Sequence, residues 1–176
     1  MIEPNLNTRI SKPNVVRNFP IYVGESIDHP DAFPDGIFID GLIKNQFGME
    51  MGYIYLKPKG PELIKTIVSN ELKNTGFNIL TYKNKNVPEL SIIVNQIFVE
   101  TEPGYFAYGN VSVIDVNFTI SNQNKSFSKR FKTIEVLNIP LFNNHHFLHL
   151  SLINNLEKFI IASIPDITEI YIKEFK

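Results

Sequence analysis

Three long β-type segments follow one another in the second half of the chain, and they constrain the fold more than any other feature. They span residues 89–100, 105–120 and 127–136. All three are rich in branched and aromatic side chains, and the short polar segments TEPG and SNQNK separate them, which predicts a meander of antiparallel strands. The apolar pattern changes phase between Val94 and Ile97 and again between Val113 and Ile114. Each change predicts a β-bulge or a stretch that is buried on both faces.

One amphipathic helix precedes this meander and another follows it. Pro61 and Glu62 suit the first turn of a helix whose apolar residues recur every three or four positions up to Gly76. The second helix is predicted over residues 145–164, and Pro165 is expected to end it. Shorter strands are predicted at residues 19–25, 53–56 and 77–82. This order of elements predicts an α+β two-layer sandwich, with a mixed, mainly antiparallel sheet and two amphipathic helices on one face.

The domain division follows from the same pattern. Residues 1–18 are polar and contain two prolines, so we expect an extended arm or tether. Residues 19–165 are predicted to form a single α+β domain. Within it, residues 26–52 form a long segment, and because loops of this length are uncommon in compact domains, we expect it to be functional, mobile or partly strand-forming. Residues 166–176 are a C-terminal tail, for which a short helix is favoured.

Composition excludes several classes of function. The 176 residues carry a net charge of −1, whereas nucleic-acid-binding domains usually carry a basic surplus, so no nucleic-acid partner is expected. The absence of cysteine excludes disulfides, thiolate nucleophiles and Cys-based metal sites. The sequence contains neither of the glycine-rich motifs that bind dinucleotides or nucleoside triphosphates, and we expect no cofactor.

A glycine-rich segment with apolar residues is the candidate site for partner binding. Phe47, Met49, Met51 and Tyr53 lie between or beside Gly48 and Gly52. Methionine adapts to varied surfaces, and exposed loops often bind partners. The alternative, equally weighted, is that these side chains fold back on the core.

A histidine-rich segment is a weak candidate for a metal site. His145 and His149 are four residues apart and therefore lie on one face of a helix, a spacing that suits metal binding. The zinc-protease motif would need Glu where His146 stands, so no general base is supplied, and a third ligand would have to come from elsewhere, such as Asp28 or His29. A polar helix start is the favoured interpretation.

Two charged segments have ordinary structural interpretations. The acidic segment 28–40 does not match the calcium-loop spacing, so turn chemistry is favoured over calcium binding. A solvated strand face is similarly favoured over phosphate or lipid contact for one basic group of side chains. That group consists of Lys125, Lys129, Arg130 and Lys132.

Most of the chain, roughly residues 15–165, resembles a known family. The segment PELSIIVNQIFVETEPGYFAYGNVSVIDVNFTISNQNKSFSKRFK resembles the strand core of the YajG-type bacterial lipoproteins. The helix and strand in PELIKTIVSNELKNTGFNI, the strand and Asp-centred loop in IYVGESIDHP, and the loop NQFGMEMGYI are also similar. The order and lengths of the elements carry the resemblance. Related envelope lipoproteins, including auxiliary lipoproteins of ABC-transport systems, share this plan.

The resemblance implies export, a lipid anchor in the outer membrane on an N-terminal cysteine, and no established enzymatic activity. Because the chain lacks cysteine, we expect the signal and the lipid-bearing cysteine to have been removed ahead of Met1; the alternative is a protein that is not a lipoprotein. The predicted function is a non-catalytic accessory lipoprotein, with its soluble part in the periplasm, that binds protein partners in an envelope assembly or transport complex. One alternative is a periplasmic domain that binds a lipid or another hydrophobic ligand. The other is a small metal-dependent enzyme that uses His145 and His149. The oligomeric state is not predicted.

Overall fold

A computed structural model describes residues 18–28, 40–45, 47–103, 107–140 and 144–176. Within these residues, seven strands form one sheet and two helices pack against it. The elements are β1 (Phe19–Asp28), β2 (Gly41–Lys44), β3 (Glu50–Ile54), α1 (Gly60–Asn74), β4 (Phe77–Leu80), β5 (Glu89–Pro103), β6 (Ala107–Ser121), β7 (Ser126–Pro140) and α2 (Asn144–Phe175). In this part of the chain, neither helix is long and apolar enough to cross a bilayer.

Strand β5 is the centre of the sheet. On one side it pairs along its whole length with β6, which pairs in turn with β7, and both ladders are antiparallel. On its other side, β1 runs parallel to its first half and β2 runs parallel to its second half. β4 adds to β1 in parallel, and β3 adds to β2 as an antiparallel hairpin. The predicted α+β class with a mixed sheet is confirmed.

Both helices cover the same face of the sheet, which we call the inner face; the opposite side is the outer face. Helix α1 contacts β1, β4 and β5, and α2 contacts β5, β6 and β7. Alternate strand residues point toward the helices and form one apolar core. At its centre, the ring of Phe118 stacks on Phe159 and meets Phe131 edge-on, each at a centroid distance of 5.8 Å.

Of the two predicted phase changes, one is a bulge and the other is a stretch that is buried on both faces. Val94 pairs with Val116 but Gln96 pairs with Asp115, so Asn95 is an extra residue in β5 and the bulge is confirmed. In β6 the second alternative occurs, because Ile114, Asp115 and Val116 are buried in succession and this stretch is therefore buried on both faces. Even-numbered residues from 110 to 120 are all buried on the inner face, and β6 pairs with β7 without a register shift. Asn110 and Ser112 are buried in this row, and their polarity conceals the alternation in the sequence.

The predicted end of the second helix at Pro165 is wrong, because α2 continues through this proline to Phe175. A proline inside a helix costs about 3 kcal/mol, since a hydrogen bond is lost and its ring clashes with the preceding turn. Burial of Ile167 and Tyr171 beyond the proline offsets that cost, and the Tyr171 hydroxyl donates to the Pro20 carbonyl at 2.7 Å. The helical preference of residues 166–176 is therefore confirmed, but they extend α2 rather than follow a break.

The long segment 26–52 is partly strand-forming, which is one of the alternatives that the sequence leaves open. Strand β1 continues to Asp28, and β2 lies at Gly41–Lys44. β2 has only four residues, and Gly41 meets the β5 backbone so closely that a Cβ there would lie 1.9 Å from the Val99 carbonyl oxygen. The residues 1–17 of the expected arm and residues 29–39 of this segment lie outside the described part.

Candidate functional site

The hairpin formed by β2 and β3 carries the four residues that the sequence predicts for partner binding. The Asn45 side-chain oxygen accepts hydrogen bonds from the backbone N–H groups of Phe47 and Met49, at 2.9 and 3.0 Å. Gly48 adopts a φ of 79°, a left-handed conformation that suits glycine. These contacts connect Asn45 with Phe47 and Met49 across the turn of the hairpin.

All four predicted side chains are exposed on this hairpin, by 52% to 75%. We call them the hairpin surface, and they are Phe47, Met49, Met51 and Tyr53. The alternative in which they fold back on the core does not occur, because the inner side of the hairpin is filled by Ile43 and Ile54 instead. The structure thus brings the four residues together, while their binding of a partner stays a prediction.

The outer face continues from the hairpin surface across the sheet as two cross-strand rows. The first row runs from β3 to β7 through Tyr53, Leu42, Glu100, Val111 and Val136. The second runs from β5 to β7 through Phe98, Val113 and Ile134. The Lys44 ammonium donates to the Glu100 carboxylate at 2.6 Å, so this charge in the first row is neutralised.

The β7 end of these rows is also exposed. Ile134 and Val136 have exposed fractions of 52% and 55%, although Val113 and Val111 lie opposite them on β6. Sequence reasoning missed both residues. One signal could have revealed them. Ile134 and Val136 are two residues apart, so they lie on one face of β7, and they are opposite Val113 and Val111 of β6.

A charge cluster lies beside the apolar rows on the outer face. Asp115 is almost fully buried, and its carboxylate accepts hydrogen bonds from Arg130 at 2.8 and 2.6 Å and from Asn95 at 2.9 Å. These hydrogen bonds, foremost that of Arg130, lower the pKa of Asp115, against the effect of burial. The carboxylate therefore stays ionised and fixes Arg130 on the sheet.

The basic residues of the β7 region form ion pairs with acidic residues rather than one patch. Arg130 and Lys132 lie on the outer face with Asp115, whereas Lys129 pairs with Asp166 at the rim of α2. Lys125 lies 3.5 Å from Glu174. These four side chains are partly exposed, as predicted, but their charges are already paired within the chain.

Two aspartates of the predicted acidic segment line a cavity of about 190 Å³ at the start of α1. Burial raises the pKa of both Asp28 and Asp40, and the charge of Asp28 raises that of Asp40 further. Asp40 accepts a hydrogen bond from the Leu56 N–H at 2.6 Å, and its backbone bonds to Ile54 and Val99. Asp40 therefore ties the ends of β2 and β3 to β5, which is a structural role.

The histidine pair lies in the first turns of α2, as the spacing predicts. His149 is half-buried, with its Nε2 atom buried and without a hydrogen-bond partner, while the His145 side chain is outside the described part. Among the described residues, no group of three or more His, Cys, Asp or Glu side chains is arranged to hold a metal ion. The described geometry therefore supplies no third ligand for His149.

A buried polar seam joins β6 to α2, and the sequence did not reveal it. The Ser112 hydroxyl donates to the Ser151 carbonyl at 2.9 Å, and the Asn155 amide donates to the Ser112 carbonyl at 2.8 Å. Asn110 is fully buried beside Ser151, and both polar atoms of its side chain lack a partner. The seam fixes the position of α2 along the strand.

Comparison with known proteins identifies the family. A family model described as uncharacterized lipoprotein matches residues 43–166. Among curated proteins, none matches the sequence. In fold, the chain is similar to the crystal structure of protein XCC0632 from Xanthomonas campestris, assigned to the DUF330 family, with a TM-score of 0.53 and 9% identity over 98% of this chain and 91% of that one.

Two further structures show weaker similarity. The hypothetical protein CT253 from Chlamydia trachomatis has a TM-score of 0.48 and 7% identity, over 88% of this chain and 98% of that one. An uncharacterized protein has a TM-score of 0.49 and 13% identity, over 89% of this chain and 99% of that one. The sequence match covers most of the domain and agrees with the resemblance to YajG-type proteins. The chain therefore belongs to a family of uncharacterized lipoproteins, and this membership implies a location in the cell envelope.

Proposed function

We propose that this protein is a non-catalytic accessory lipoprotein that binds another envelope protein through the hairpin surface. In this proposal the domain faces the periplasm, and a lipid ahead of residues 1–18 holds it to the outer membrane. Membership of a lipoprotein family supports the envelope location. The exposure of four large apolar side chains on one hairpin supports the binding of a protein partner.

That exposure is the observation on which the proposal depends. Groups of exposed apolar side chains on the surface of a protein domain are typical of interaction sites. Each half-exposed side chain contributes on the order of 1 kcal/mol when a partner covers it. The hydrogen bonds from the Phe47 and Met49 N–H groups to Asn45 restrain the backbone of these two residues before binding, which lowers the entropy cost of binding.

The electrostatics around the hairpin surface indicate the chemistry of the partner. Lys44 and Glu100 on the outer face neutralise each other at 2.6 Å, whereas Glu50 is an exposed carboxylate between Met49 and Met51. An acidic ligand would be repelled there, and one carboxylate gives a strongly basic ligand little complementary charge. We therefore expect an apolar patch or groove on the partner, into which the Phe47 ring and the two methionines fit.

Site-specific photo-crosslinking in cells tests the proposal. A photoreactive residue in place of Phe47 is expected to give an adduct with one envelope protein, and Met49→Ser with Met51→Ser in the same chain should abolish it. The control position is Ile161, which is 60% exposed on α2. Equal adducts from both positions, or an adduct that survives the two serines, would contradict the proposal.

A further inference from the structure

Strand β7 forms a long open edge of the sheet. On one side of β7, all 15 residues from Ser126 to Pro140 pair with β6. In the described ranges, no strand pairs with its other side. An edge of this kind presents unpaired N–H and C=O groups to any additional strand.

The basic side chains of β7 within the strand are confined to one half of this edge. Lys129, Arg130 and Lys132 lie in the first half, where charged side chains oppose the addition of another strand. From residue 133 to residue 138, Glu135 is the one charged residue, and its carboxylate is paired with Lys158 of α2 on the inner face. The second half of the edge therefore lacks the charged side chains that oppose the addition of a strand in the first half.

The same half carries the exposed apolar side chains of the outer face. Ile134 and Val136 are more than half exposed, and the rows from Val113 and Val111 end at them. An added strand would place side chains about 5 Å beyond each of them and so continue both rows. Hydrogen bonding and apolar contact thus favour the same segment of the edge.

We infer that a second copy of this chain pairs with residues 134–138 of β7, antiparallel and about a two-fold axis through Val136. This axis sets Val136 opposite its own copy and Glu135 opposite Leu137, so no like charges lie directly opposite each other within the paired segment. Parallel pairing would instead set Arg130 and Lys132 opposite their own copies, and like charges directly opposite are destabilising.

One self-complementary segment suffices for such an interface, which is the usual geometry of a symmetric dimer. The two sheets would become continuous across the axis. The hairpin surface lies at the other end of the outer-face rows and stays accessible, so self-association is independent of the proposed function.

The lack of native cysteine makes a direct test simple. Val136→Cys, treated with a short bis-maleimide, is expected to give a cross-linked dimer about ten times faster than Ile161→Cys, which is similarly exposed but lies on α2. Tyr53→Cys reports association through the hairpin surface. Equal rates at Val136 and Ile161, or the fastest rate at Tyr53, would overturn the inference.

Light scattering supplies a second measurement that does not depend on a cross-link. The unmodified protein is expected to have twice the 20.2 kDa mass of one chain. Ile134→Lys with Val136→Lys should weaken dimerisation by about tenfold or more, since charges are added at the edge. A single-chain mass for the unmodified protein at about 100 µM would overturn the inference. If the double variant fails to fold by circular dichroism, the cysteine comparison decides alone.

Discussion

Removal of the Tyr171 ring is expected to destabilise the domain strongly, because this residue anchors the part of α2 beyond Pro165. Its ring centroid lies 5.5 Å from that of Phe19 and 5.0 Å from that of Phe77, and the residue is 3% exposed. Loss of a buried aromatic side chain costs about 3–5 kcal/mol, and we expect a change of this size in the free energy of unfolding for Tyr171→Ala. Tyr171→Phe should cost about 1–2 kcal/mol, since the Pro20 carbonyl loses its donor.

Urea denaturation at pH 7 measures both changes, with exposed Glu169→Ala as the control expected to change stability by less than about 0.5 kcal/mol. Burial also raises the pKa of Tyr171 above 10.0. The stability linked to this raised pKa is fully present below the unfolded value and is lost as the pH rises through the folded pKa, so the unmodified protein should lose stability relative to Tyr171→Phe above about pH 10. A loss below about 1 kcal/mol for Tyr171→Ala would refute the packing of residues 166–175 against the sheet.

Three further predictions concern the sheet. Asp115→Asn should lower the free energy of unfolding by about 1–2 kcal/mol at pH 7. Because the pKa of Asp115 is lowered, the stability that its carboxylate contributes is present above pH 3.8 and is lost as the pH falls through the folded pKa. The urea midpoints of the variant and the unmodified protein should therefore converge in acid. Gly41→Ala should lower the free energy of unfolding by more than about 2 kcal/mol, because the new Cβ would clash with the Val99 carbonyl oxygen. Gly52→Ala is the control, since a Cβ has room at that position. Equal thermal midpoints of the two variants would contradict this prediction. Asn110→Val should raise stability by about 1 kcal/mol, because two buried polar atoms without partners are removed, and a lower urea midpoint would show that they are satisfied in solution.

The parts of the fold that the sequence predicts are those with strong local signals. Pro61 and Glu62 mark the start of α1, and Gly76, with a φ of 96°, follows its end. The phase change around Asn95 is visible because large apolar residues lie on both sides of the bulge. In each case the residues that determine the local structure are neighbours in the sequence.

The features that the sequence does not predict depend on distant contacts. The four residues of β2 form a strand because Gly41 fits against Val99 of β5, a contact 58 positions away in the chain. Helix α2 continues past Pro165 because Tyr171 packs against β1 and β4. The composition of the glycine-rich segment leaves exposure and folding back on the core equally open, and the structure shows exposure. Ile134 and Val136 become a surface only through the order of the strands.

Binding of the cross-linked envelope protein to purified variants tests the central claim most directly. The dissociation constant is measured for the unmodified domain, for the double variant Met49→Ser with Met51→Ser, and for Ile161→Ser. The double variant loses two apolar contacts, each of which contributes about 1 kcal/mol to the free energy of binding. We therefore expect its binding to be about 10–30-fold weaker and that of Ile161→Ser to be unchanged. Unchanged affinity of the double variant, with its fold intact by circular dichroism, would contradict binding through the hairpin surface.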